Sequence, residues 1–164
     1  VNPEDESAAL DFLVGIAKKR EQLVPNWNYG ELLAYAAGII DGEGWIGMSR
    51  ALWKHKKGQS STYSLRVAVN MVTTKPIGLL HNLFGGTITT VNKGKYSPRN
   101  KLQYRWGIAV REDLERFLTL LEPRLIVKRE QARLGLVLIQ SLGKRVYDNE
   151  LREAFCLKFK ELNK

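Results

Sequence analysis

The stretch from Leu32 to Gly44 limits what this chain can fold into more than any other. It opens as a helix rich in Leu, Ala and Ile and stops at Gly42-Glu43-Gly44, two glycines around a carboxylate. Ala34, Gly38 and Gly42 recur at i, i+4 and i+8, which places them on one helix face. That face is nearly bare of side chains, so a second backbone can approach it closely. Glu43 is expected just past the helix end, where flanking glycines allow turns that other residues adopt only at a cost. A carboxylate held at the end of a close-packed helix is a candidate cation ligand, although a solvated Glu beside a helix-ending Gly is also common. Gly42, Gly44 and Gly47 match the spacing of a dinucleotide-binding loop, but here helix precedes strand, the reverse of what that site requires.

With 164 residues, 44% of them hydrophobic, the chain suits one domain with a sizeable core. Its 26 Lys and Arg against 17 Asp and Glu leave a net charge of +9, which points to a polyanionic partner. No apolar run approaches the roughly 18 residues of a spanning helix, and no secretory signal pattern is present. No membrane span is therefore expected, and the charge points to nucleic acid or an anionic membrane surface as the partner. The single cysteine, Cys156, cannot form an internal disulfide, which suits a reducing intracellular compartment. His55 and His81 lie far apart without cysteines at ligand spacing, so no zinc site is expected.

Residues 1–25 are expected to form an accessory N-terminal helix, with Asn2 as cap, Pro3 in the first turn and acids at the positive dipole end. Residues 26–164 read as a single further domain. The helix from about Tyr29 to Asp41 leads into a strand from Trp45 to Trp53, with Ile46, Met48 and Ala51 alternating against Gly47 and Ser49. A basic hairpin tip from Lys54 to Ser61 follows. On the return strand Leu65, Val67, Val69 and Met71 face one way, and Ser64, Arg66, Ala68 and Asn70 the other. A short helix from Lys75 to Phe84 ends at Gly85-Gly86, before a second hairpin with a basic tip from Lys93 to Lys101. Helices are expected over Glu112–Leu121, Val127–Leu142 and Asp148–Leu162, with a break at Pro123. The order is α+β: helix, hairpin, helix, hairpin, helices. Paired hairpins make a four-stranded antiparallel sheet whose polar face carries Ser49, Arg66, Asn70, Thr87, Thr89, Gln103 and Arg105.

This pattern resembles the LAGLIDADG homing endonucleases. Ala36 to Gly44 matches the family motif, with Ala in place of the first Leu and Glu in place of the second Asp. The likeness continues through Val72-Thr73-Thr74-Lys75, Leu83-Phe84-Gly85-Gly86, Phe117 to Leu125, and Lys128 to Ala132. It covers about Tyr29 to Leu142 in the family's αββαββα order, which implies a curved antiparallel DNA-binding sheet backed by helices, here with an extra N-terminal helix. One motif per chain implies a homodimer, in which Ala34, Gly38, Asp41 and Gly42 belong to the interface and the motif helices cross at the bare face.

The resemblance implies Mg²⁺-dependent hydrolysis of double-stranded DNA at a long pseudo-palindromic site, leaving short 3′ overhangs. Glu43 would hold a divalent cation from each protomer with help from the Gly42 carbonyl, and Lys128 and Thr74 would serve the catalytic centre. Asp41 takes a mainly structural part at the helix end. Sheet-face residues would read bases, Arg66 and Arg105 suiting guanine and Asn70 and Gln103 adenine, while Ser49, Thr87 and Thr89 bind directly or through water. Lys54, Lys56, Lys57, Lys93, Lys95, Arg99 and Lys101 are expected on phosphates. Two alternatives share the fold: an RNA maturase acting on intron RNA, and a cleavage-inactive DNA-binding protein.

Overall fold

The computed structural model describes residues 27–55, 58–91, 102–141 and 149–164. The expected N-terminal helix, the Lys56-Lys57 turn and the tip carrying Lys93, Lys95, Arg99 and Lys101 lie outside the described residues. Helix α1, Tyr29–Glu43, starts with a reciprocal cap. Asn28 Oδ1 accepts the Glu31 N–H at 3.0 Å, and Glu31 Oε2 accepts the Asn28 N–H at 2.7 Å. Strands β1, Gly44–His55, and β2, Gly58–Met71, follow, then helix α2, Thr74–Phe84, and strands β3, Thr87–Val91, and β4, Gln103–Ile108. Helices α3, Arg111–Leu121, α4, Arg129–Ser141, and α5, Asn149–Leu162, complete the order, with a short 3₁₀ turn at Glu122–Arg124 where Pro123 ends α3.

All strand pairs are antiparallel, in the spatial order β1-β2-β4-β3. The sheet is curved and backed by helices, as the sequence implied. Alternation assigns Ile46, Met48, Leu65, Val67, Val69, Trp106 and Ile108 to the helix side, where all are buried. Ala51 belongs to the other face. The expectation grouped it with Ile46 and Met48, but strict alternation puts Leu52 there, and at this distance from the core even Leu52 is exposed. The first hairpin is also longer than expected: Lys54 pairs with Gln59 and His55 with Gly58, so the anticipated tip is mostly strand.

The core gathers around Trp106, Phe84 and Phe117. Phe84 and Phe117 meet edge to face at 4.8 Å, and Trp106 lies 5.7 Å from Phe117. The buried indole N–H donates to the Gly85 carbonyl at 2.8 Å, so the helix-ending glycine also satisfies the largest core side chain. Gly85 and Gly86 have φ of 71° and 85°, and a Cβ on Gly86 would sit 2.5 Å from the Gly107 oxygen. At the opposite side, β1 is an edge strand. Its Ile46 carbonyl accepts from Asn163 Nδ2 at 3.0 Å, and its Met48 carbonyl takes the Cys156 thiol at 3.8 Å. Helix α5 thereby covers backbone that would otherwise offer itself for pairing with another chain.

Phe117 is wholly buried in this aromatic cluster. Phe117→Ala is expected to lower unfolding free energy by about 3–5 kcal/mol, read from urea titrations, and a loss below about 1 kcal/mol contradicts this packing.

Candidate nucleic-acid interface

Glu43 is the last residue of α1, and the chain enters β1 directly behind it. This corrects the expectation of a left-handed glycine turn. Among the described residues positive φ occurs only at Gly58, Gly85 and Gly86, and Gly44 is extended at φ −80°, ψ 160°. Gly44 is required for a different reason: a Cβ there would lie 2.6 Å from the Ile40 oxygen, the same atom its own N–H bonds. At Gly42 and Gly38 no atom of the described residues lies within 4 Å of an added Cβ. Together with exposed Ala34 they form a bare stripe on α1, while Leu33, Ala36, Ala37, Ile39 and Ile40 fill the core side. Trp27 and Tyr35 stack edge to face at 5.2 Å on the exposed side of the same helix.

Asp41 turns back into its own chain. Its carboxylate accepts the Ile126 N–H at 2.7 Å and the Lys128 N–H at 2.9 Å, and Lys128 Nζ returns to the Asp41 carbonyl at 2.5 Å. This clasp places the Lys128 ammonium on the negative end of α1, where the helix dipole favours a cation, at a carbonyl two residues before Glu43. Burial pushes the Asp41 carboxyl up, but N–H donation from Ile126, Lys128 and Val127 and the charge of Lys128 outweigh it and hold its pKa below the ordinary value. Thr74 opens α2 as its first residue.

Glu43 is exposed and makes no hydrogen bond or ion pair among the described residues. It borders an open depression of about 570 Å³ on the outer sheet face, shared with Ser49, Arg66, Asn70, Thr87, Thr89 and Arg105. Six of the seven expected sheet-face residues therefore converge on Glu43's side of the sheet. Gln103 lies farther along β4, on the same face by alternation. Lys54 stands exposed near the distal end of β1, out of phase with Ser49. Arg105 and Asn70 are joined: Arg105 Nε donates to Asn70 Oδ1 at 2.9 Å. One residue that sequence reasoning missed is Trp45. It is 37% exposed, lines the depression, and lays its indole over Gly47, where a Cβ would meet the ring at 2.5 Å. The signal was present in its shared alternation with Ser49.

The donor set suits a hard divalent cation, because a free carboxylate oxygen and the neighbouring Gly42 carbonyl are both oxygen ligands. Among the described residues no three His, Cys, Asp or Glu side chains cluster.

No protein-family model and no curated protein matches the chain. Solved structures do. The chain is 22% identical to the homing endonuclease I-CvuI, solved with a DNA target in the presence of Mg, over 81% of this chain and 82% of that one, with a TM-score of 0.66. The archaeal intron-encoded homing endonuclease I-Vdi141I, complexed with DNA, is 16% identical over 84% and 87%, with a TM-score of 0.65. The LAGLIDADG homing endonuclease I-GzeII, in complex with its DNA target, is 14% identical over 79% of this chain but only 43% of its own length, at a TM-score of 0.55. The chain has the LAGLIDADG homing-endonuclease fold.

The Asp41 clasp has a pH signature. A carboxyl whose folded pKa is depressed contributes stability that is complete above its unfolded value, here 3.8, and is lost as pH falls through the folded one. Asp41→Asn is expected to be less stable than the parent at neutral pH, with the gap closing below pH 3.8 in urea titrations across the acid range. A gap that stays constant with pH contradicts the clasp.

Proposed function

We propose that this chain is a site-specific, intron- or intein-associated DNA endonuclease of the LAGLIDADG class, working as a homodimer on a long pseudo-palindromic duplex. The observation that carries the reading is the Glu43 carboxylate at the end of α1, which has no hydrogen-bond or ion-pair partner among the described residues and opens into the same depression as Arg66 and Arg105. A carboxylate beside two exposed arginines has no use in a structural sheet face. It has one where a cation and a phosphodiester meet.

The bare stripe of Ala34, Gly38 and Gly42 supports a pairing of two α1 helices, since each lacks the side chains that hold backbones apart. Two-fold pairing puts a second Glu43 near the first and completes the half-site that one chain supplies. Glu43 and the Gly42 carbonyl would then hold divalent cations, of which Mg²⁺ is the proposed one. Such an ion lowers the pKa of an attacking water and neutralises charge on the leaving 3′ oxygen.

The chain's own residues do the rest. Lys128, pinned by Asp41, holds a positive charge at the helix end for the scissile phosphate. Thr74 offers a hydroxyl for ordering water. The strands span the groove: β2 runs Gly58–Met71, about 46 Å at roughly 3.3 Å per residue, longer than one duplex turn of about 34 Å. A pair of chains carries twice the +9 charge, which supplies affinity for phosphates on both arms.

The test is cleavage of a randomised duplex library by the full chain in Mg²⁺, with Glu43→Gln alongside. The parent is expected to yield double-strand breaks with short 3′ overhangs at one long, roughly symmetric site. Glu43→Gln should retain binding to that site and lose cleavage by at least about 100-fold. Undiminished cutting by the variant overturns the role given to Glu43.

A further inference from the structure

We infer that Asn70 and Arg105 form one reading unit for guanine, in which Asn70 is a positioning residue for Arg105 and not a reader of adenine. The inference rests on the DNA-binding reading above and sharpens it. The register places the two residues directly opposite each other on β2 and β4, on the outer face. Arg105 Nε donates to Asn70 Oδ1 at 2.9 Å. A guanidinium nitrogen can only donate, so the amide must present its oxygen, and that fixes which way the amide lies.

The consequence for base reading is chemical. An Asn that pairs with adenine needs its oxygen for the N6 amino group and its nitrogen for N7. The Asn70 oxygen is held by Arg105, so the amide is not free to turn its oxygen and nitrogen together onto an adenine edge, while Nδ2 remains a donor. Arg105 keeps Nη1 and Nη2, the fork that fits O6 and N7 of guanine. The groups that the bond leaves free for hydrogen bonding, Asn70 Nδ2 and the Arg105 fork, are all donors. Guanine presents two acceptors on its major-groove edge, whereas adenine sets an amino donor against the pair.

The bond also fixes a side chain that otherwise loses much rotamer freedom on binding, so part of that cost is met before DNA arrives. Position narrows the reading further. Val69, the neighbour of Asn70, pairs with Gly44, so the unit stands beside the Glu43 junction, and Asn70, Arg105 and Glu43 border the same depression. The guanine it reads therefore lies in the part of each half-site nearest the cut.

The experiment is selection of bound duplexes from a randomised library by the full chain and by Arg105→Ala, Asn70→Leu, Asn70→Asp and the Arg105→Ala/Asn70→Leu double variant. Base preference is read as a ratio at each position. The parent is expected to select guanine at one base pair in each half. Arg105→Ala and Asn70→Leu should both lose that preference by on the order of tenfold at the same pair, and the double variant no more than Arg105→Ala alone. Asn70→Asp should keep it, because its carboxylate still accepts from Nε. Both side chains are exposed, so thermal melts should show all variants folded. Loss of an adenine preference at a different pair in Asn70→Leu overturns the inference, as does Asn70→Asp behaving like Asn70→Leu. A parent that selects no duplex overturns the DNA-binding reading itself.

Discussion

The end of α1 depends on one small set of bonds. Asp41 closes the Ile126–Lys128 segment with two backbone N–H bonds, and Lys128 reaches back to the Asp41 carbonyl. That clasp joins the first helix to the start of α4 across more than half the chain. It sets where α1 stops and so where Glu43 emerges, and it brings a lysine to the same helix end. Gly44 then lets the chain turn into β1 without striking the Ile40 oxygen. The carboxylate, the lysine and the outer sheet face are positioned by this single junction.

The two faces of the sheet answer to different demands. On the inner face the aromatic cluster and the α1 residues Leu33, Ile39 and Ile40 exclude water. On the outer face Ala68 and Gly107 leave a shallow floor, around which Arg66, the Asn70–Arg105 pair and Trp45 stand. Helix α5 buries Cys156 and Phe159 in the inner-face core, and Cys156 with Asn163 just after the helix closes the β1 edge. The outer face can therefore stay polar and open without the sheet extending itself into another chain.

Much of this was legible in the residues. Alternation placed Ser49, Arg66, Asn70, Thr87, Thr89, Gln103 and Arg105 on one face, because period-two patterning survives wherever one side is buried. The helix order and the Gly85-Gly86 stop were legible for similar reasons. Other features were not. Gly42 and Gly44 suggested a left-handed turn, yet Gly44 is there for space, since composition shows that a Cβ is missing but not which clash it avoids. Ala51 slipped out of phase because β1 runs past the core, where burial no longer enforces alternation. The Asn70–Arg105 bond and the Asp41 clasp join residues far apart in sequence, and no local pattern encodes such a contact. Trp45 was passed over because an aromatic beside a helix end reads most simply as core.

The central proposal is that the bare stripe on α1 exists to bring two chains, and with them two Glu43 carboxylates, together. Gly38→Leu tests it most directly. No atom of the described residues lies within 4 Å of a Cβ at this position, so the lone fold is expected to tolerate the change, and replacing a helical Gly gains up to about 1 kcal/mol of helix propensity. Sedimentation equilibrium of the full chain is expected to show a dimer for the parent and a monomer for a Gly38→Leu variant that melts no lower. A variant that still pairs as tightly as the parent, or a parent that is monomeric while cutting both strands, would contradict the account.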